Sequence, residues 1–164
     1  MEPRLEFLSE KKLVGKHLKM SLSNNLTFEL WYGFMTRRKE IVNNTTGDLF
    51  SMQVYDAAPD FMNFNENALF EKWAATEVTG FDSIPDGMEG YVLKGGLYAV
   101  FNHRGTPDTF PETLRFIFGT WLPASGYTLD NREHFEILGE KYKRDDPGSE
   151  EEVWIPLQPT CLLR

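Results

Sequence analysis

The period of the apolar positions changes several times along the chain, and each change marks a short element. Residues 12 to 20 alternate, with Val14, Lys16 and Leu18 on one face and Leu13, Gly15 and His17 on the other, which predicts a strand. The period then lengthens: Leu26, Leu30, Trp31 and Phe34 fall at i, i+4, i+5 and i+8, the stripe of an amphipathic helix. Asn24 or Asn25 is placed to cap its start, and Arg37, Arg38 and Lys39 stand where the helix dipole favours cations. After the turn-forming Asn43-Asn44-Thr45-Thr46-Gly47, Phe50 to Tyr55 alternates again, and residues 69 to 79 read as a further strand.

The second half begins after a turn at Ile84-Pro85-Asp86-Gly87 and repeats this order. Tyr91 to Lys94 is extended, and Leu97 to His103 is the most strand-like run in the chain. Thr109 and Glu112 have capping-box spacing, with Pro111 in the first turn, and predict a helix start. Leu114, Ile117, Phe118 and Trp121 form its apolar stripe, and Leu122-Pro123 predicts its end before Gly126 turns the chain. Strands are predicted near Phe135 to Tyr142 and Glu152 to Gln158. Each half therefore reads strand, helix, strand, strand. No low-complexity linker divides them, so the expectation is one domain over 1–164, with halves of about 1–82 and 83–164 sharing one core.

With 41% hydrophobic and 14% aromatic residues among 164, the chain is too apolar to be disordered. Its formal net charge of −8 and lack of a long basic stripe argue against direct nucleic-acid binding and lean toward cationic or neutral ligands. No apolar run approaches the roughly 20 residues that span a bilayer, and Met1-Glu2-Pro3-Arg4 does not open a signal peptide. The one cysteine, Cys161, leaves no internal disulfide or cysteine-based zinc site, and a reducing cytoplasm is the expected location.

Candidate chemistry is sparse. His17, His103 and His134 lack metal-ligand spacing, so no metal is expected, and no phosphate-binding loop or Gly-x-Ser-x-Gly motif points to a cofactor or a serine nucleophile. Cys161 is read as incidental, and Glu150-Glu151-Glu152 as a solvated acidic approach to a strand. Glu136 and Glu140 are more informative: an extended strand puts them on one face with Leu138 and Tyr142, opposite Phe135 and Ile137. Either both glutamates are solvated, or this face roofs a cleft where burial raises a carboxyl pKa. Trp31, Tyr55, Trp73, Trp121 and Trp154 could wall such a cleft through stacking and cation–π contacts, or simply fill the core.

The run Gly96-Leu97-Tyr98-Ala99-Val100-Phe101-Asn102-His103-Arg104-Gly105, then Trp121 to Tyr127, Phe135-Glu136 and Glu152-Val153-Trp154-Ile155-Pro156-Leu157, resembles the GyrI-like family, the effector-binding domain of AraC-type and BmrR-type regulators. Leu13-Val14-Gly15, the Leu30-Trp31 helix and Phe50 to Tyr55 extend the likeness less sharply into the first half. The resemblance implies an α+β fold: two pseudo-symmetric strand-helix-strand-strand modules forming one antiparallel-sheet domain with a central ligand cleft.

It further implies that Glu136 lies among aromatic rings and contacts small aromatic, cationic or amphipathic ligands, for sensing or sequestration. Trp31 and Tyr55 would work with it, Phe34, Trp73, Phe101, Trp121 and Trp154 are the further candidate ligand-binding residues, and Glu140 is held in reserve. Some stand-alone members hydrolyse cyclopropanoid toxins, which would make Glu136, Tyr55 and Trp31 a catalytic group directing water. A protein-interaction or inhibitor module is a third reading. Leu138 departs from the aromatic residue many relatives carry two places after the glutamate, so ligand identity does not transfer. No segment is left over for a helix-turn-helix, so regulation would need a separate partner, and a homo-oligomer stays open.

Overall fold

The computed structural model describes residues 1–57, 59–61, 63 and 65–159. Its strands are β1 (Arg4–Leu8), β2 (Lys11–Met20), β3 (Leu49–Val54), β4 (Phe70–Val78), β5 (Glu89–Leu93), β6 (Gly96–Arg104), β7 (Tyr127–Leu129), β8 (His134–Leu138) and β9 (Glu150–Pro159). The first helix is α1 (Thr27–Met35); the second begins as α2 (Phe110–Phe116) and passes through a π turn at Ile117–Trp121 into α3 (Leu122–Ala124). This is an α+β fold on an open sheet whose strand pairs are antiparallel, in the order β1-β6-β9-β8-β3-β4-β2-β5, with β7 beside the outer part of β9.

That order reads the same from either end under a pseudo-twofold exchange of the halves. The axis passes where β3 meets β8, with Ser51 opposite Glu136. The first half carries one strand beyond the strand-helix-strand-strand pattern, β1, and the second half carries two, β5 and β7. The leading strand β1 leaves its own half to pair with β6, and its counterpart β5 pairs with β2, so the halves exchange edge strands. Arg4–Leu8 escapes a pattern-based reading because Leu5 and Phe7 are exposed and only Leu8 is buried. Where the β5–β6 turn passes the end of β1, Gly95 has φ +89°, and an added Cβ would meet the Leu8 carbonyl oxygen.

Strand alternation divides the apolar side chains between two faces. The inner face curls around a core to which every strand of the main order contributes, from Leu8 and Leu93 at the edges to Met52 and Phe135 at the axis. On the outer face, α1 lays Leu30 and Phe34 over Val14 and Ala74, while Ile117 and Phe118 lie over Ala99, Phe101 and Val153. Each large buried side chain of this kind contributes about 2 kcal/mol to stability. Two separate outer cores leave the sheet between them uncovered.

Several local expectations are corrected. Thr109 does not close a capping box with Glu112: its Oγ1 donates to the Thr106 carbonyl at 2.9 Å, because a 3₁₀ turn, Pro107–Thr109, takes the chain into α2. Pro123 does not end the second helix. It sits inside α3, directly after the π turn, whose wider spacing relieves the clash a proline makes with the preceding turn. Asn25 Oδ1 accepts from the Thr27 amide at 3.0 Å, satisfying one donor at the start of α1, although Leu26 holds the cap position. The cations Arg37, Arg38 and Lys39 fall beyond α1, where Arg37 pairs with Glu40 and Arg38 donates to the Gly47 carbonyl.

Candidate functional site: a cleft on the pseudo-twofold axis

Because Phe135 and Ile137 turn inward from β8, Glu136 and Leu138 project from the outer face, into the strip that neither helix covers. Two contiguous cavities of about 420 and 640 Å³ occupy this strip and share Lys72, Phe110 and Glu136. The first is walled by Leu114 and Phe118 of the second helix and by Tyr55 and Phe61, with His134 and Gln53 from the sheet. Phe61 stacks on Phe118 at 4.2 Å, and Tyr55 meets His134 edge-on at 5.2 Å, so the wall is a connected aromatic surface. The second is lined by Phe28, Trp31 and Met35 of α1 and by Ser51, Tyr142 and Glu151.

The floor is polar. The Gln53 amide donates to the Glu136 carboxylate at 3.3 Å. Burial holds the Glu136 carboxyl above its ordinary pKa, while Lys72 and hydrogen bonds from Gln53 and Ser51 pull it back. Burial, with the neighbouring Glu136 charge, pushes Glu151 up to about 7. Lys72 is lowered by burial and supported by Glu136 and Glu151. The Tyr55 hydroxyl is raised by burial and then by Glu136, so it stays a neutral donor. His134 is depressed to about 3 by burial and then by Arg132, and its Nε2 has no hydrogen-bond partner among the described residues. Its imidazole is therefore neutral where it lines the first cavity.

The residues singled out in the sequence are only partly gathered here. Glu136 lines both cavities, Tyr55 the first and Trp31 the second. Phe34 is fully buried in the core under α1, where Trp31 meets it edge-on. Trp73 and Trp154 project to the inner face and belong to the central core. Phe101 is fully buried beneath the second helix, with Trp121 edge-on against it at 5.1 Å. Glu140 does not share a strand face with Glu136: β8 ends at Leu138, the Tyr142 amide bonds back to the Gly139 carbonyl, and Glu140 is exposed in that turn. Cys161 lies outside the described residues.

Other lining residues escaped the pattern. Glu150-Glu151-Glu152 is not a solvated approach but the start of β9: Glu150 accepts from Asn102, Glu152 from the Trp154 indole and Arg4, and Glu151 faces the second cavity. Lys72 offered a usable signal, a lone cation on the strand face it shares with Phe70 and Ala74. Phe61 and Phe110 did not, since a loop and a helix entry carry no period to read. Among the described residues no cluster of His, Cys, Asp or Glu could hold a metal ion, and no helix is long and apolar enough to cross a membrane.

The sequence profile of the GyrI-like small molecule binding domain matches residues 1–158. The chain belongs to this family. A relative, the transcriptional regulator BrlR of Pseudomonas aeruginosa, is 25% identical over 146 residues, which are 88% of this chain and 51% of that protein; the chain spans about half the length of this curated relative. Among solved structures, a putative bacterial transcription regulation protein from Staphylococcus aureus MU50 superposes with a TM-score of 0.73 at 14% identity, covering 96% of this chain and 99% of that one. SAV2435, solved bound to tetraphenylphosphonium, superposes with a TM-score of 0.70 at 16% identity, covering 96% and 94%. At these identities the superpositions show the GyrI-like fold itself.

Proposed function

We propose that the chain binds small aromatic, amphipathic molecules, cationic ones among them, in the cleft between its two halves, and that it senses or sequesters them as the effector-binding part of transcription regulators does. The observation that carries this reading is the pair of contiguous cavities, walled by aromatic rings and joined over a partly buried glutamate. Such a cleft takes a flat apolar body against Phe61, Phe118 and Trp31 and presents one polar group to Glu136. The family membership and the regulator BrlR point to the same class of role. The open cleft also speaks for a small ligand over a protein partner.

The test is a binding titration with tetraphenylphosphonium for the native chain and Glu136→Gln, with mass analysis of the recovered compound. The native chain is expected to return the ligand unchanged and the variant to bind about tenfold more weakly, since the amide keeps the shape and loses the charge. Equal binding by both would remove Glu136 from the reading. A parallel incubation with a cyclopropanoid compound addresses the hydrolase reading: a water adduct formed by the native chain and lost in Glu136→Gln would replace binding with turnover as the primary role.

A further inference from the structure

The whole chain carries a formal net charge of −8, yet its cleft is charge-compensated. Two carboxylates, Glu136 and Glu151, line the cavities together with three cations: Lys72 in the shared floor, and Arg115 and Arg144 exposed at the rims. The cleft therefore lacks the unopposed negative charge that a site tuned to bare cations would carry.

Lys72 is the unusual member. The sheet registers place it where the pseudo-twofold axis demands: Ala74 pairs with Ser51 on one side and Val153 with Glu136 on the other, and Lys72 and Glu151 each stand two residues before those partners. The same structural position is thus a cation in one half and a carboxylate in the other, with Glu136 between them beside the axis. Lys72 has no carboxylate within ion-pair distance among the described residues, and its side chain opens to both cavities. A cation held in a half-buried floor without a direct partner can be matched by an acidic group on whatever fills the cleft.

We propose that Lys72 is a ligand-binding and charge-selecting residue, and that the cleft is built for aromatic compounds carrying an acidic group beside any positive one, such as zwitterionic dyes and aromatic amino-acid-like molecules, in preference to simple cations. A positive group on such a ligand faces Glu136 and Glu151, while its acidic group faces Lys72. A bare aromatic cation gains the first contact and meets repulsion from Lys72. The field of Lys72 on both carboxylates agrees with this arrangement.

The inference rests on the aromatic-cleft reading, and the test separates the two. A cationic rhodamine ethyl ester and its free carboxylic acid share one aromatic body and differ by one negative charge. Both are titrated by fluorescence against the native chain, Lys72→Met and Lys72→Gln, each variant first checked for native circular dichroism. The native chain is expected to hold the acid more tightly than the ester. Both substitutions should weaken the acid about tenfold and tighten the ester by a similar factor, the effect of one charge at short range in a partly buried site. If both dyes bind and neither substitution moves their affinity ratio, Lys72 does not select charge and the inference falls while the aromatic cleft stands. If the native chain holds neither dye nor tetraphenylphosphonium, the aromatic-cleft reading falls and the inference falls with it.

Discussion

His134 shows how one residue can be constrained by packing and by chemistry at once. Its ring is buried among Tyr55, Phe61 and Phe118, and burial with the nearby Arg132 depresses its pKa to about 3. Above pH 6.5 the imidazole is neutral in folded and unfolded chains alike. As pH falls below 6.5, the unfolded chain takes up a proton that the folded chain refuses, and stability drops by about 1.4 kcal/mol per pH unit until about pH 3. Glu151 acts with the opposite sign. Its folded pKa of about 7 lies above the ordinary 4.5, so the folded chain holds the extra proton and stability falls as pH rises between those values. His134→Phe should therefore be more stable than the native chain at about pH 5, with the difference shrinking toward pH 7, as read from urea midpoints. A difference that does not change with pH would locate the effect in packing instead.

At the scale of elements, β2 is clamped to both its neighbours by one side chain. His17 bonds Glu71 of β4 at 2.7 Å through Nδ1 and Glu89 of β5 at 2.6 Å through Nε2, and its ring stacks on Trp73 at 4.3 Å. Burial alone lowers the His17 pKa, but the two carboxylates outweigh it and the net shift is upward. The stabilisation is therefore fully present below pH 6.5 and is lost as pH rises through the folded pKa. His17→Phe keeps the stacking and removes both ion pairs, so its melting temperature should fall below native at about pH 6 and approach it in alkali. These groups are partly solvated, which keeps the expected deficit near 1 kcal/mol. A deficit that persists unchanged in alkali would assign the loss to the stack.

The exchange of β1 and β5 binds the whole molecule together. Each half lends its leading strand to the other, and the inner core draws on every strand of the main order. A fragment ending at residue 82 keeps β2 without β5, and its β1 has no β6 to pair with. It should fail to show the cooperative unfolding transition of the intact chain, and mixing it with the fragment 83–164 should restore that transition. A cooperative transition in either fragment alone would show the halves to be independent folding units. The cleft shares this dependence, because its floor joins β3 and β4 to β8 and β9 and its walls come from helices of both halves.

The chain's own pattern decided a good part of this. Alternation and period set six strands and two helices near their observed places, the repeat set the pseudo-symmetry, and the placement of Phe135 opposite Glu136 put the glutamate on the face away from its apolar neighbours. These features are legible because side-chain direction follows local backbone geometry. The rest depended on distant pairings. The strand exchange depends on which strand pairs with which, and a short run such as Arg4–Leu8 carries no record of its partner. The sorting of Trp31 into the cleft and Phe34 into a core depends on how α1 sits on the outer face, and that of Trp73 and Trp154 on which sheet face closes around the central core. Likewise Lys72, Glu151 and Glu136, far apart in the chain, share one floor only because antiparallel register aligns them about the axis. Local sequence orients a side chain; tertiary packing decides whether it meets core, cavity or solvent.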